Sequence, residues 1–292
     1  AFDMPARQAI FPHLIKRDDM TNAVALNSLI WQSTRVIGPA FAGIIITFMG
    51  IATAFYFTTV GFVIFTIFLS LIRMPEISQS KKDNMGKEML RGLGFIRDNN
   101  IFAFLLGMTF VSSFFGMSYI FLMPVFAKDI LEAGPSGLGI LLAAQGLGGL
   151  TGTLIVTSLG KIRMQGRVII GASTAFGVFL IFFAFSSWYF ISIGLLFIAG
   201  SMLSVYMVIS QSTMQLLVPD TYRGRVMGIW GLTFTFILPL GGMQASAVAN
   251  VFSPSIAVAF GAFMVILFAL VGATSKSQIR NLNPHQNSQD PT

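Results

Sequence analysis

The chain has 292 residues, 54% of them hydrophobic and only 10% charged, with a mean hydropathy of +0.78. A soluble domain carries about 25% charged residues, so the composition excludes a water-soluble globular protein and places the chain in a bilayer. Cysteine is absent and the two histidines, His13 and His285, stand in polar flanks, so disulfides, metal clusters and other cofactors are not expected.

A membrane-spanning helix needs about 20 mostly apolar residues. Eight such runs follow in chain order, at 22–48, 51–72, 101–126, 136–159, 167–186, 189–213, 225–250 and 255–274. Barrel strands would instead alternate over about ten residues. The fold class is therefore an all-α membrane protein, a polytopic helical bundle. The opening "AFDMPARQAI" has neither a starting Met nor a basic leader into a short apolar core; it reads as the interior of a longer chain rather than a signal peptide.

The breaks between runs alternate in character. One set is basic: Arg7, Lys16 and Arg17; the loop 73–97; "KIRMQGR" at 161–167; "YRGR" at 222–225; "SKSQIR" at 275–280. The other set, around Gly50, Ser186–Ser187, Ser253–Pro254 and 128–137, is nearly uncharged. Apart from Arg35 and Lys128, all eighteen Lys and Arg fall in the first set. Basic loops face the cytoplasm, which predicts both ends of this segment there, in the cell membrane. The same placement accounts for the net charge of +7 without nucleic acid as a partner.

The loop after the second run carries Met85, Met89, Leu93 and Ile96 on one helical stripe, flanked by Lys87, Arg91 and Arg97. That pattern predicts an amphipathic helix lying at the membrane interface. It divides the chain into 1–73 with two spans, a linker at 74–100, six spans in 101–274, and a polar tail at 275–292 whose composition predicts disorder.

Polar groups within spans face a protein interior or a water-filled cavity. They are concentrated in spans one, three, four, six and seven, whereas spans two, five and eight have no mid-span amide or charge. The pattern predicts inner helices around a cavity and an outer scaffold of every third helix. Candidate cavity residues are Asn27, Trp31, Arg35, Ser112, Tyr119, Gln145, Ser204, Met207 and Gln211. Ser112 and Tyr119 share one stripe at 100° per residue, as do Ser204, Met207 and Gln211. Each serine has a plainer alternative, a hydrogen bond to its own helix backbone, and Met207 can be packing. Tyr206 counts among the polar groups of span six, with an interfacial anchor as the alternative reading for it and for Trp230. Gly148 and Gly152 have the spacing that lets two helix backbones approach.

"TRVIGPAFAGIII" at 34–46 combines a charge with a helix breaker. Asn27, Trp31, Arg35 and Gly38 fall within about a quarter of the helix circumference. Pro39 removes the hydrogen bond to the Arg35 carbonyl. A mid-span arginine costs roughly 2.5–3.5 kcal/mol on insertion scales. Two readings fit: a functional charge facing the cavity, or a kinked helix with a snorkelling side chain. Span seven has an echo in "ILPLGG" at 237–242. Spans one and seven are six apart, as in a transporter of two related halves.

"AFDMPARQAIFPHLIKRDDMTNAVALNSLIWQSTRVIGPAFAG", "VFAKDILEAGPSGLGILLAAQGLGG" and "LVPDTYRGRVMGIWGL" together resemble the transmembrane secretion-effector branch of the major facilitator superfamily. The resemblance covers almost the whole chain. It implies that the eight transmembrane helices are helices five to twelve of a twelve-helix fold, with spans two, five and eight as its outer helices. Gly38, Pro39 and Gly43 resemble the fifth-helix motif of antiporters in the superfamily, though the motif there is richer in glycine. "LGKIRMQGR" resembles a degenerate gating loop that keeps Gly166 and Arg167 but lacks the aspartate. The other cytoplasmic positions matched in this way are Asp3, Arg7, Arg223 and Arg225.

The resemblance implies a secondary-active exporter of amphipathic small molecules such as drugs, siderophores or metabolites, working by alternating access among membrane lipids, with protons as the coupling ion. The alternative is an uptake transporter for a metabolite or lysolipid-like solute. No Asp or Glu lies mid-span, so a coupling carboxylate is expected upstream of Ala1. An enzyme would need nucleophile, base or metal ligands at membrane depth, and a channel would need a filter or charged ring. The spans supply neither.

Overall fold

The computed structural model describes residues 20–71, 85–159, 162 and 164–275, with helix as the regular structure among them. Helix α1 spans Met20–Leu71 and α2 spans Met85–Asp98. The spans α3 (Asn100–Ile130), α4 (Gly134–Leu159), α5 (Gln165–Ala184) and α6 (Tyr189–Leu217) follow. Helix α7 runs through Asp220–Leu232, a wide turn at Thr233–Ile237 and Leu238–Val251, and α8 is Pro254–Ser275. Seven of the described helical stretches are long and apolar enough to cross a membrane. The first two runs expected from sequence lie together in α1. Their boundary is a single non-helical residue, Gly50, at φ 83°, a conformation that side-chain-bearing residues rarely adopt. One glycine thus serves as the whole break.

Local chemistry fixes the other corners. The Asn99 side chain accepts a hydrogen bond from the Ile101 N–H at 3.3 Å and starts α3, and the Ser253 hydroxyl does the same for the Ile256 N–H at 3.2 Å in α8; both satisfy donors that a helix start leaves open. Glu132 and Gly134, both at positive φ, turn the chain from α3 into α4.

The spans α3 to α8 form one packed bundle. Helix α6 lies between α4 and α5, α5 also packs along α8, and α7 closes against α3 and α8. Fully buried Phe126, Phe176, Phe183, Leu141 and Leu196 fill its centre. The expected outer helices α5 and α8 each bury one face, Phe176, Leu180 and Phe183 on α5 and Ala262, Val265 and Ala269 on α8. Their other faces expose Phe182, Phe263 and Leu267. The second half of α1 is exposed along Phe55, Phe62 and Phe68, and α1 packs on α4.

Helix α2 forms over Met85–Asp98, within the linker where a helix is expected. It is docked on protein, against the start of α7. Phe95 stacks on Tyr222 with ring centres 4.5 Å apart and meets Phe102 at 5.2 Å. Ile96 is buried, whereas Leu93 of the same predicted stripe is exposed. The face that docks is set by Gly92, where a side chain would meet Arg225 Cβ at 3.0 Å. The hydrophobic stripe alone did not reveal that close approach.

Candidate functional site

Among the expected site residues on α1, Gly43 has a defined neighbour. A Cβ on it would sit 3.0 Å from both the Gly139 Cα and the Pro135 carbonyl oxygen of α4. The two helices therefore approach backbone to backbone, and a side chain on the α1 side would need α4 to give by a few tenths of an ångström. Gly38 has nothing near it. The side chains of Asn27, Trp31, Arg35 and Pro39 lie outside the described residues, as do Asp3 and Arg7 altogether and the Arg223 side chain.

Helices α4 and α6 meet along a glycine seam. Side chains at Gly148, Gly152 and Gly200 would run into the backbone carbonyls of Phe197, Ser201 and Gln145 respectively. The Ser201 hydroxyl donates to the Gly148 carbonyl at 2.8 Å, and the Tyr189 hydroxyl donates to that of Gly137 at 3.2 Å. The spacing of Gly148 and Gly152 gave one side of this seam. The partner glycine, Gly200, has no such pair and was missed.

The expected cavity residues divide into two settings. Gln145 is buried at the seam. Ser204 faces Gly149, with 3.0 Å between its Oγ and the place of a Cβ there. Ser204, Met207 and Gln211 are half-buried on α6, and Gln215 further along is exposed. Ser204, Gln211 and Gln215 lie within about 40° of one another around the helix. Where this stripe reaches the end of α6, Ser212, Gln215, Leu216 and Met227 line a pocket of about 340 Å³. Its groups are hydroxyl, carboxamide, thioether and aliphatic, able to hydrogen-bond neutral donors and acceptors and to cover apolar surface.

Ser112 and Tyr119 are in the second setting, buried inside the bundle. The Tyr119 ring faces Phe176 and Phe183 of α5, with centres 6.5 and 6.4 Å away, while Ser112 lies beside Tyr206 of α6. Between them a π-helical turn at Ser112–Gly116 and a 3-10 stretch at Met117–Leu122 replace regular winding. Tyr206, for which the sequence offered a mid-span polar group or an interfacial anchor, is fully buried at mid-helix. Trp230 is half-buried and meets Phe234 at 4.9 Å. A tyrosine's amphipathic ring suits either setting, and only the packing distinguishes them.

At the basic end, Gly166 is buried and Arg167 exposed. Beside them the Thr213 hydroxyl is shared between the Gln165 carboxamide oxygen and its own Ile209 carbonyl, the latter at 2.7 Å. The sequence reading missed this pair. Its signal was available: Tyr206, Ser210 and Thr213 fall on one face of α6 at helical spacing. Arg225 lies over the Tyr222 ring at 5.4 Å, within the contact that holds α2. Among the described residues no cluster of three or more His, Asp or Glu could hold a metal.

The described residues thus form a multi-pass helical bundle with a glycine seam and an uncharged polar stripe on α6 that reaches a pocket at its end. The chain belongs to the transmembrane secretion effector family of the major facilitator superfamily, whose family model matches residues 1–291. It is similar to macrolide efflux protein A of Streptococcus pyogenes, 23% identical over 256 residues, 86% of this chain and 63% of the relative. It is also similar to the staphyloferrin A transporter of Staphylococcus aureus, at 25% over 259 residues, 86% of this chain and 63% of that one. The multidrug efflux pump Tap of Mycolicibacterium fortuitum is 24% identical over 255 residues, covering 85% and 62%. The chain thus spans less than two thirds of the length of these relatives.

Proposed function

We propose that this chain is part of a secondary-active exporter that moves amphipathic small molecules out of the cell by alternating access. The observation that carries the reading is the uncharged stripe Ser204, Gln211 and Gln215 leading to the pocket at Ser212 and Met227, in a chain whose relatives include proteins named for macrolide and multidrug efflux. Such a surface binds neutral and apolar groups loosely, which suits varied substrates. Residues 1–73 belong to the first six-helix half, 74–100 link the halves and 101–274 form the second; Gly43 against Gly139 is then a contact between halves. The basic loops lie on the cytoplasmic side of the cell membrane, and lipid covers the exposed phenylalanines of α1.

Protons are the proposed coupling ion. Asp129 and Glu132, at the outer end of α3, are exposed, so the titrating carboxylate of an antiporter would stand elsewhere in the protein. The test is transport of a fluorescent macrolide or dye by the complete protein in liposomes under imposed pH gradients. Movement driven against an opposite proton flux supports the reading. Transport indifferent to the gradient refutes antiport, and inward accumulation in oriented vesicles refutes export.

A further inference from the structure

The glycine contacts that join α6 to α4 run from Phe197 to Ser204 on α6 and end at Gly152 on α4. Further towards the basic end α4 exposes Leu154, Ile155 and Leu159, so the last turns of α6 run on beyond the seam. There they meet the start of α5. The buried Thr213 hydroxyl donates to the carboxamide oxygen of Gln165, the first residue of α5 and itself buried. The same hydroxyl reaches its own Ile209 carbonyl at 2.7 Å.

Neither residue belongs to the polar stripe. At 100° per residue, Ser204, Met207, Gln211 and Gln215 lie about 120–200° around α6 from Thr213. The Gln165 contact therefore grips the side of α6 that faces away from the stripe. Burial divides the same turn: Thr213 and Met214 are buried, whereas Ser212, Gln215 and Leu216 are exposed along the pocket they form with Met227 of α7. Apolar packing is non-directional, and a methionine such as Met214 adapts to irregular gaps. A hydrogen bond weakens steeply when its angle closes, so it resists rotation where apolar contact does not. With side chains a helix has a radius of about 5–6 Å, and turning it by about 20° carries a surface group through about 2 Å. Binding groups need to be held within about 0.5 Å.

We propose that the Gln165–Thr213 hydrogen bond positions the pocket, by fixing the rotation of the basic end of α6 so that Ser212 and Gln215 face the cleft with Met227 and meet a neutral amphipathic substrate there. Gln165 and Thr213 are positioning residues and touch no substrate themselves. The inference rests on the export reading for what enters the pocket, while the orientation it assigns is measured without transport.

The first arm of the test places Ser212→Cys, Gln215→Cys or Leu216→Cys singly in the complete protein in lipid nanodiscs. Maleimide labelling at each position is followed by mass spectrometry, with Thr213 intact or with Thr213→Val. The expected result is a redistribution: in the valine background at least one rate rises and another falls several-fold, and Thr213→Ser keeps the wild-type ratios. Unchanged ratios overturn the proposal. A uniform rise at all three positions overturns it too, because that is loosening rather than rotation. The second arm measures export of a fluorescent macrolide or dye from liposomes. Thr213→Val and Gln165→Leu should each raise KM several-fold at an unchanged maximal rate per folded transporter, and the double variant should raise it no further. Ser173→Ala, which removes a buried hydroxyl that donates back to Ile169 and Ile170 of its own helix, should keep the wild-type KM. A lower maximal rate at unchanged KM in the Thr213 and Gln165 variants marks a contact that only stabilises the fold, and overturns positioning. A wild-type protein that exports neither probe refutes the export reading, and the labelling ratios alone then decide the role of the contact.

Discussion

Replacing Gly148 or Gly200 by alanine adds one methyl group to a seam that has no space for it. The new Cβ would overlap the Phe197 carbonyl in the first case and that of Gln145 in the second. Both obstacles are backbone, so no rotamer change relieves them. Overfilling a packed interior typically costs 1–3 kcal/mol. Relief requires α4 and α6 to part by about 1 Å, and a gap of 0.5–1 Å forfeits a quarter to a half of the dispersion attraction along the contact. Alanine returns up to about 1 kcal/mol through helix propensity, leaving a net loss of up to about 2 kcal/mol when that return is complete. Gly148→Ala also strains the hydrogen bond from Ser201. Gly194 on α6 and Gly171 on α5 have nothing within 4 Å and serve as controls. Thermal unfolding of the protein in nanodiscs, followed by loss of the monodisperse peak, should place both seam variants several degrees below wild type and both controls at or slightly above it. Seam variants that melt together with Gly194→Ala would refute the claim that backbone contact holds α4 to α6.

Thr213→Val leaves the buried Gln165 carboxamide without its partner and should cost about 1–3 kcal/mol; adding Gln165→Leu should recover most of that in a double-mutant cycle read by the same melting assay. Phe95→Ala removes the ring stacked on Tyr222, a pairing of about 0.5–1.5 kcal/mol beyond its buried area. Amide hydrogen exchange across 85–98 should accelerate in that variant while α5 stays protected, and unchanged exchange there would show that the stack does not hold α2. Gly43→Leu drives a side chain into Gly139 and Pro135, so transport by the complete protein should fall sharply while membrane insertion persists. Arg35→Ala should abolish transport without loss of insertion; normal activity would assign Arg35 to structure.

The sequence carried the membrane class and most span edges, because apolar length is itself the physical requirement for crossing lipid. It carried Gly148 and Gly152 as one side of a helix contact, since that spacing is local. Gly200 was not legible: its role comes from meeting Gln145, a neighbour distant in the chain. The turns at 112–116 and 117–122 in α3, which alter the angle per residue, left no mark in the apolar pattern. Tyr206 shows the same boundary. Its residue type fits either the interface or a buried hydroxyl group, and the facing helix decides. Helix α2 announced an apolar face but not the stack of Phe95 on Tyr222, a neighbour distant in the chain.

The glycine seam also bears on how the bundle can move. With three backbone contacts and the Ser201 hydroxyl bond along it, α4 and α6 cannot slide past each other without breaking several at once. They travel as a single stiff blade. Because α1 packs along that blade, with Gly43 against Gly139, a shift of α1 against it would be resisted along the same contact.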